Sequence, residues 1–199
     1  EKNPPEPWRI DDTFLDGDII RCGRSEIVVI ETPGHTAGHC SFFFPEENFI
    51  FTADICLTKV GPWYGDPDTT MDQFTNSIDK IIRLKPAKLA TGHLMEVLTE
   101  NIPETLTRYR DRIFKREERI LNFLKNNTAS INEIAEKKFI YPVHPTSFVF
   151  FWEKAMVKKH LDHLAGLGLV SMTGDGRYIA GKCLNQKGLR LCNRSRAAL

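Results

Sequence analysis

No apolar run in the 199 residues approaches the roughly 20 that a membrane helix needs. The first residues, EKNPPEPWRI, lack the apolar stretch of a secretory signal. A cytoplasmic protein with no membrane partner is therefore expected. Cysteine is sparse and odd in number. The five, Cys22, Cys40, Cys56, Cys183 and Cys192, form no Cys-x-x-Cys pair, which argues against a zinc knuckle or a dithiol redox motif. They read as small apolar residues or free thiols. His-x-His occurs nowhere, and there is no internal repeat or low-complexity tract.

Charge of one sign is also scarce until the end. Net charge is +1 overall, but −5 over residues 1–126, +1 over 127–180 and +5 over 181–199. The last segment, GKCLNQKGLRLCNRSRAAL, is polar, aperiodic and basic. It reads as a disordered or added tail, with a nucleic-acid-binding tail as the other reading.

What is present has two periodicities. Asp16-Gly-Asp18 is a turn signal. Ile19-Ile20 and Ile27–Ile30 then read as strands joined by Cys-Gly-Arg-Ser-Glu. Cys40–Phe44 and Phe49–Thr52 are aromatic-rich strands around the turn Pro45–Asn48. From Asp68 the period becomes helical. Asp68-Thr69-Thr70 can cap a helix carrying Met71, Phe74, Ile78, Ile81 and Ile82, which Pro86 ends. Leu89–Thr91 reads as a short buried strand. The order is that of an α/β (α+β) fold.

A second helix starts near Pro103. Leu106, Tyr109, Ile113, Ile120 and Leu124 form its apolar face, and Arg108, Arg110, Asp111, Arg112 and Lys115–Glu118 cover much of the rest. Ser130–Glu133 is a capping box. Residues 148–167 read as a helix with Phe151, Ala155, Leu161, Leu164 and Leu167 among its apolar positions. Thr-Gly-Asp-Gly at 173–176 joins two short strands. Helices followed by a hairpin are the winged-helix arrangement. The expected division is 1–100, 101–180 for the linking helix and winged-helix-like domain, and 181–199 for the tail.

The chemistry lies in three loops. Thr32-Pro-Gly-His-Thr-Ala-Gly-His39 follows a strand and presents His35. Phe51-Thr-Ala-Asp54 ends a strand with a carboxylate. Ala90-Thr-Gly-His93 does the same with an imidazole. Loops at one edge of a sheet converge, so the three residues can share a site. Two imidazoles and a carboxylate suit zinc, with iron or manganese as alternatives.

Asp16-Gly-Asp18, TPGHTAGH, FTAD and TGH, in this order, make residues 14–99 similar to the second half of the metallo-β-lactamase superfamily. The helix RYRDRIFKREERIL and the module after it resemble the C-terminal extension of its β-lactamase-like 2 and glyoxalase II-like subgroup. The resemblance implies the second half of an αββα sandwich followed by a small winged-helix domain. It makes His35, Asp54 and His93 metal ligands, with Asp54 bridging a pair of zinc ions and positioning the reacting water. His39 matches a position that supports the site without binding metal. Ala53 stands where the family usually has glycine, which requires a backbone conformation open to alanine.

The family's HxHxDH loop is absent, so the resemblance leaves most of the ligands to an N-terminal half outside this chain. It implies a metal-dependent hydrolase in which a metal-held hydroxide attacks a thioester, ester, lactone, lactam or phosphodiester. The isolated chain is expected to bind zinc weakly and to lack useful catalysis. Its apolar sheet face should be covered by the missing half or by a second copy. Trp63 and Tyr64, after the Asp54 strand, are candidates to line a pocket for a small-molecule substrate. The alternative is a nucleic-acid-binding winged helix, or a nuclease of the same fold, using Lys154, Lys158, Lys159, His160 and Arg177. The small positive charge of that module makes nucleic acid the less favoured partner.

Overall fold

The computed structural model describes residues 10–181. Of the basic segment only Gly181 is among them, so the tail reading lies outside the described residues. Strands β1 (Ile19–Cys22), β2 (Ser25–Glu31), β3 (Cys40–Phe44) and β4 (Phe49–Phe51) pair antiparallel in sequence order. Helix α1 (Met71–Leu84) then carries the chain to β5 (Lys88–Ala90), which pairs parallel to β4. The sequence signals placed these elements to within about two residues at each end.

Helix α1 starts where Thr70 accepts from the Gln73 N–H and the Gln73 side chain returns the bond, a complete capping box. It ends at Lys85, held left-handed one residue before Pro86. Its buried residues Met71, Phe74, Ile78 and Ile81 form one stripe. The stripe shares a core with Ile30, Ile50 and Leu89 from one face of the sheet. Successive strand residues point to opposite faces. The other face therefore carries Phe42 opposite Phe51 and Phe44 opposite Phe49, all partly exposed. Phe14 meets Phe42 edge-on there.

Helix α2 (Ile102–Leu124) packs on α1. After it come α3 (Ile131–Ala135), α4 (Ser147–Gly166) and a hairpin of β6 (Val170–Met172) and β7 (Tyr178–Ala180). The apolar core runs without a break from Ile30 to Val170, across the boundary drawn at residue 100.

Two helix faces differ from expectation. In α2, Arg116 and Glu117 join the buried stripe instead of the solvated face. In α4 the buried positions are Glu153, Met156, Val157, His160, Leu161 and Leu164, while Phe148 and Phe151 are 58% exposed. The stripe has helical spacing. Two of its members are polar, so hydropathy alone rotates the helix towards its phenylalanines.

Candidate metal centre

The loop after β2 is folded by its own backbone. The Thr32 N–H donates to the His39 carbonyl (2.9 Å) and Gly34 to Thr36 (3.1 Å). Helix α1 and the residue before its cap pin it, through Ser77 Oγ on the Pro33 carbonyl (2.7 Å) and Thr69 Oγ1 on that of Gly34 (3.1 Å). Glycine is required at 34: φ is +136°, and a Cβ there would lie 2.3 Å from Phe74 Cα. His35 is thereby aimed along the sheet edge.

Asp54 sits in a turn closed by the Ile55 N–H on the Thr52 carbonyl (2.9 Å). Ala53 has a φ of +43°, the left-handed region that costs a residue with a Cβ roughly 1–2 kcal/mol. Alanine in place of the family's usual glycine at 53 is therefore strained. The strained carbonyl is used, accepting the Gly92 N–H at 2.8 Å. Thr91 Oγ1 donates to the Cys56 carbonyl (3.2 Å) and accepts from the His93 N–H, so the third loop hangs on the second.

The three loops bring their side chains together. His93 Nε2 is 3.0 Å from Asp54 Oδ1, and His35 Nε2 is 3.7 Å from Asp54 Oδ2. They meet through the carboxylate in contact geometry, and among the described residues no three such side chains form a ready metal cage. The donor set nevertheless suits a cation. His35 Nδ1 faces the Trp63 carbonyl at 3.3 Å, as metal-binding imidazoles commonly anchor their second nitrogen. With Nδ1 engaged there, Nε2 is the nitrogen turned towards the carboxylate. These side chains are 24%, 43% and 57% exposed for His35, Asp54 and His93, so the edge is open.

His39 is buried beneath them. Its Nε2 accepts from the Asp54 N–H (3.1 Å), which leaves the proton on Nδ1, donated to the Thr32 carbonyl (2.9 Å). Burial pushes its pKa down, keeping this neutral tautomer. His39 thus orients the Asp54 backbone through its ring.

The pocket candidates divide. Trp63 lies against His35, ring centroids 5.0 Å apart. Tyr64 does not line a pocket. It is fully buried, its hydroxyl donating to His160 Nε2 (2.7 Å) and accepting from Arg116 (3.2 Å). Burial raises its pKa to about 12. It follows Trp63 directly, and adjacent residues in this extended loop face opposite sides.

Sequence reasoning missed the scaffold behind this loop. Arg116 donates to the carbonyls of Val60 (2.6 Å) and Pro62 (2.7 Å), and Arg112 to those of Thr58 and Lys59. Asp16 accepts the Glu31 N–H (2.9 Å) and Lys80 Nζ (2.6 Å), fixing the end of β2 before the His35 loop. The turn signal at Asp16 was visible, but its partner is 64 residues away. The cations assigned to nucleic acid are engaged internally. His160 is buried, Lys159 donates to Pro67 and Thr69 carbonyls, Lys158 pairs with Asp162, and Arg177 pairs with Glu133. Lys154 lies over the Phe150 ring.

The sequence model of the metallo-beta-lactamase superfamily matches residues 2–93, the stretch that holds all three loops. Just under half of the chain is thus similar to this superfamily. A metallo-beta-lactamase family protein from Thermus thermophilus superposes with a TM-score of 0.75 at 23% identity, over 87% of this chain and 56% of that one. A beta-lactamase domain protein from Burkholderia ambifaria gives 0.71 at 17% identity, over 89% and 53%. The shared fold thus extends well past residue 93. A hydroxyacylglutathione hydrolase from Cereibacter sphaeroides is 35% identical over 86 residues, 42% of this chain and 32% of that protein. An atrochrysone carboxyl ACP thioesterase from Aspergillus chevalieri is 26% identical over 180 residues, 87% of this chain and 53% of that protein. The chain spans about half the length of these relatives, or less.

Proposed function

We propose that this metallo-β-lactamase chain supplies one side of the dinuclear metal centre of a thioester hydrolase. The observation that carries the reading is the Asp54 carboxylate set between His35 Nε2 and His93 Nε2 on three loops of one sheet edge. His35, Asp54 and His93 would hold the metal ions from this side. Zinc fits this donor set best. Bound metal supplies Lewis acidity and makes water nucleophilic near neutral pH.

The chain's own residues set the geometry. Trp63 holds His35 Nδ1 through its carbonyl and shields one side of the ring. His39 holds the Asp54 backbone. The relatives named for hydroxyacylglutathione and acyl-carrier-protein thioesters support a small-molecule thioester as substrate. The half-exposed phenylalanine face of the sheet is where a further polypeptide segment, or a second copy, would cover the chain and complete the ligand set.

Calorimetric zinc titration tests the centre. The chain alone should bind weakly, and His35→Ala or His93→Ala should abolish what binding there is. Stoichiometric sub-micromolar binding indifferent to both variants overturns the reading. Hydrolysis of S-acyl glutathione, by the polypeptide that joins this chain to a complete ligand set, tests the substrate class. There Asp54→Asn should lower kcat by about 10²-fold, and an unchanged rate removes Asp54 from the mechanism.

A further inference from the structure

On the side of the 57–64 loop that faces α2 lies a cleft of about 200 Å³. Five cationic side chains line it, Lys59, Arg112, Lys115, Arg116 and Arg119, together with Val60, Phe139 and Ile140 and no carboxylate. Among the described residues none of the five has an ion-pair partner. The guanidinium groups are instead fixed by neutral acceptors. Arg112 donates to the carbonyls of Thr58 and Lys59, Arg116 to those of Val60 and Pro62, and Arg119 to that of Phe139 (3.1 Å) while lying over its ring. The contact is close. A Cβ on Gly61 would come within 3.0 Å of both Arg112 and Arg116.

Gathering like charges costs free energy, and carbonyl dipoles fix a guanidinium without cancelling its charge. A guanidinium has five N–H donors. Each of these three uses only part of its set, and the Lys59 and Lys115 amines have no partner among the described residues. The cleft therefore presents preorganised, unspent donors around an uncompensated positive field. Such a fork-and-point arrangement suits phosphate oxygens. Its volume lies below the roughly 300–1,000 Å³ of drug-sized sites, which favours a small anion.

We propose that this cleft is a binding site for a phosphate group, either free phosphate or the phosphate of a small organic phosphomonoester, separate from the metal loops. The site rests on α2 and on the loop whose other side holds His35.

The test is calorimetric titration of the desalted, chelator-treated chain at constant ionic strength, with inorganic phosphate, glycerol phosphate and a short single-stranded oligonucleotide as probes. Saturable binding of one phosphate is expected. The exposed-site double variant Lys59→Ala/Lys115→Ala should weaken it about tenfold or more. Arg83→Ala/Lys88→Ala, which removes as much charge elsewhere on the surface, should leave it within about twofold. His93→Ala should also leave it unchanged. Tighter binding of glycerol phosphate identifies an organic phosphate, and equal binding identifies free phosphate; both support the site. Absence of saturable phosphate binding, equal losses in the two double variants, loss in His93→Ala, or binding of the oligonucleotide alone overturns it.

Discussion

Two carboxylates in this protein each face two imidazoles, and they do opposite things. Asp54 meets His35 and His93 at a sheet edge, and Glu117 meets His160 and His163 between helices. The contacts are similar: 3.7 and 3.0 Å in the first cluster, 3.6 and 2.6 Å in the second. In the second cluster every outer nitrogen is occupied. His160 Nε2 takes the Tyr64 hydroxyl, and His163 Nε2 faces Asp72 at 3.6 Å. Glu117 is 3% exposed, whereas the Asp54 side chain is 43% exposed. Side-chain chemistry alone does not make a site. The Glu117 cluster is a closed strut tying α1, α2 and α4 together, and the Asp54 cluster is an open edge.

The largest expected effect breaks the strut. Glu117→Ala removes one partner of a buried charge network and should cost about 3–5 kcal/mol in denaturant unfolding. A loss below about 1 kcal/mol would mean the cluster is not structural.

The strut also has its own pH dependence. Burial works to raise the Glu117 carboxyl, but the two imidazoles facing it prevail and hold it down at about 2. Its contribution is full above the ordinary 4.5 and is lost as pH falls from there to about 2. The hydrogen bond to Glu117 raises His163 above its ordinary 6.5, against the opposing effect of burial. Its contribution is therefore full below 6.5 and lost as pH rises through the raised value. His160, kept neutral by burial, titrates the other way. The measurement is thus the difference in unfolding free energy between the wild type and His163→Asn. The wild-type advantage should shrink on going from pH 6 to pH 9, and a constant difference would show that His163 is not charged in the fold.

A smaller effect of opposite sign belongs to the open edge. Ala53→Gly relieves a left-handed alanine, and should stabilise by about 0.5–1 kcal/mol after glycine's entropy is deducted. Destabilisation by the variant would show that the turn is not strained. Smallest of all, His93→Ala should shift unfolding by no more than about 0.5 kcal/mol, as a substitution of an exposed side chain. If it costs as much as Glu117→Ala, the distinction between edge and strut fails.

Strand and helix limits were legible because they rest on local signals: the run of aromatics at Phe42–Phe44, the Thr70 and Ser130 capping boxes, and Pro86 after α1. The order of the three loops was legible as well, because His35, Asp54 and His93 each follow a strand. The role of Tyr64 was not, since its neighbour Trp63 faces the edge while Tyr64 enters the core. Glu117, Glu153 and His160 were equally hidden. Hydropathy assigns them to solvent, and only partners from distant elements make their burial affordable. Glu153, for example, accepts the Ile140 and Tyr141 N–H groups at 3.0 and 2.8 Å.

By itself, then, the sequence determined the elements, the order of the three loops and the likeness of residues 2–93 to the superfamily, because short-range patterning and motif spacing encode them. The tertiary structure alone decided which carboxylate is open and which is closed, which cations have no ion-pair partner among the described residues, and that Ala53 is strained. Those outcomes depend on which polar groups meet across tens of residues, and burial sets the energy of each meeting.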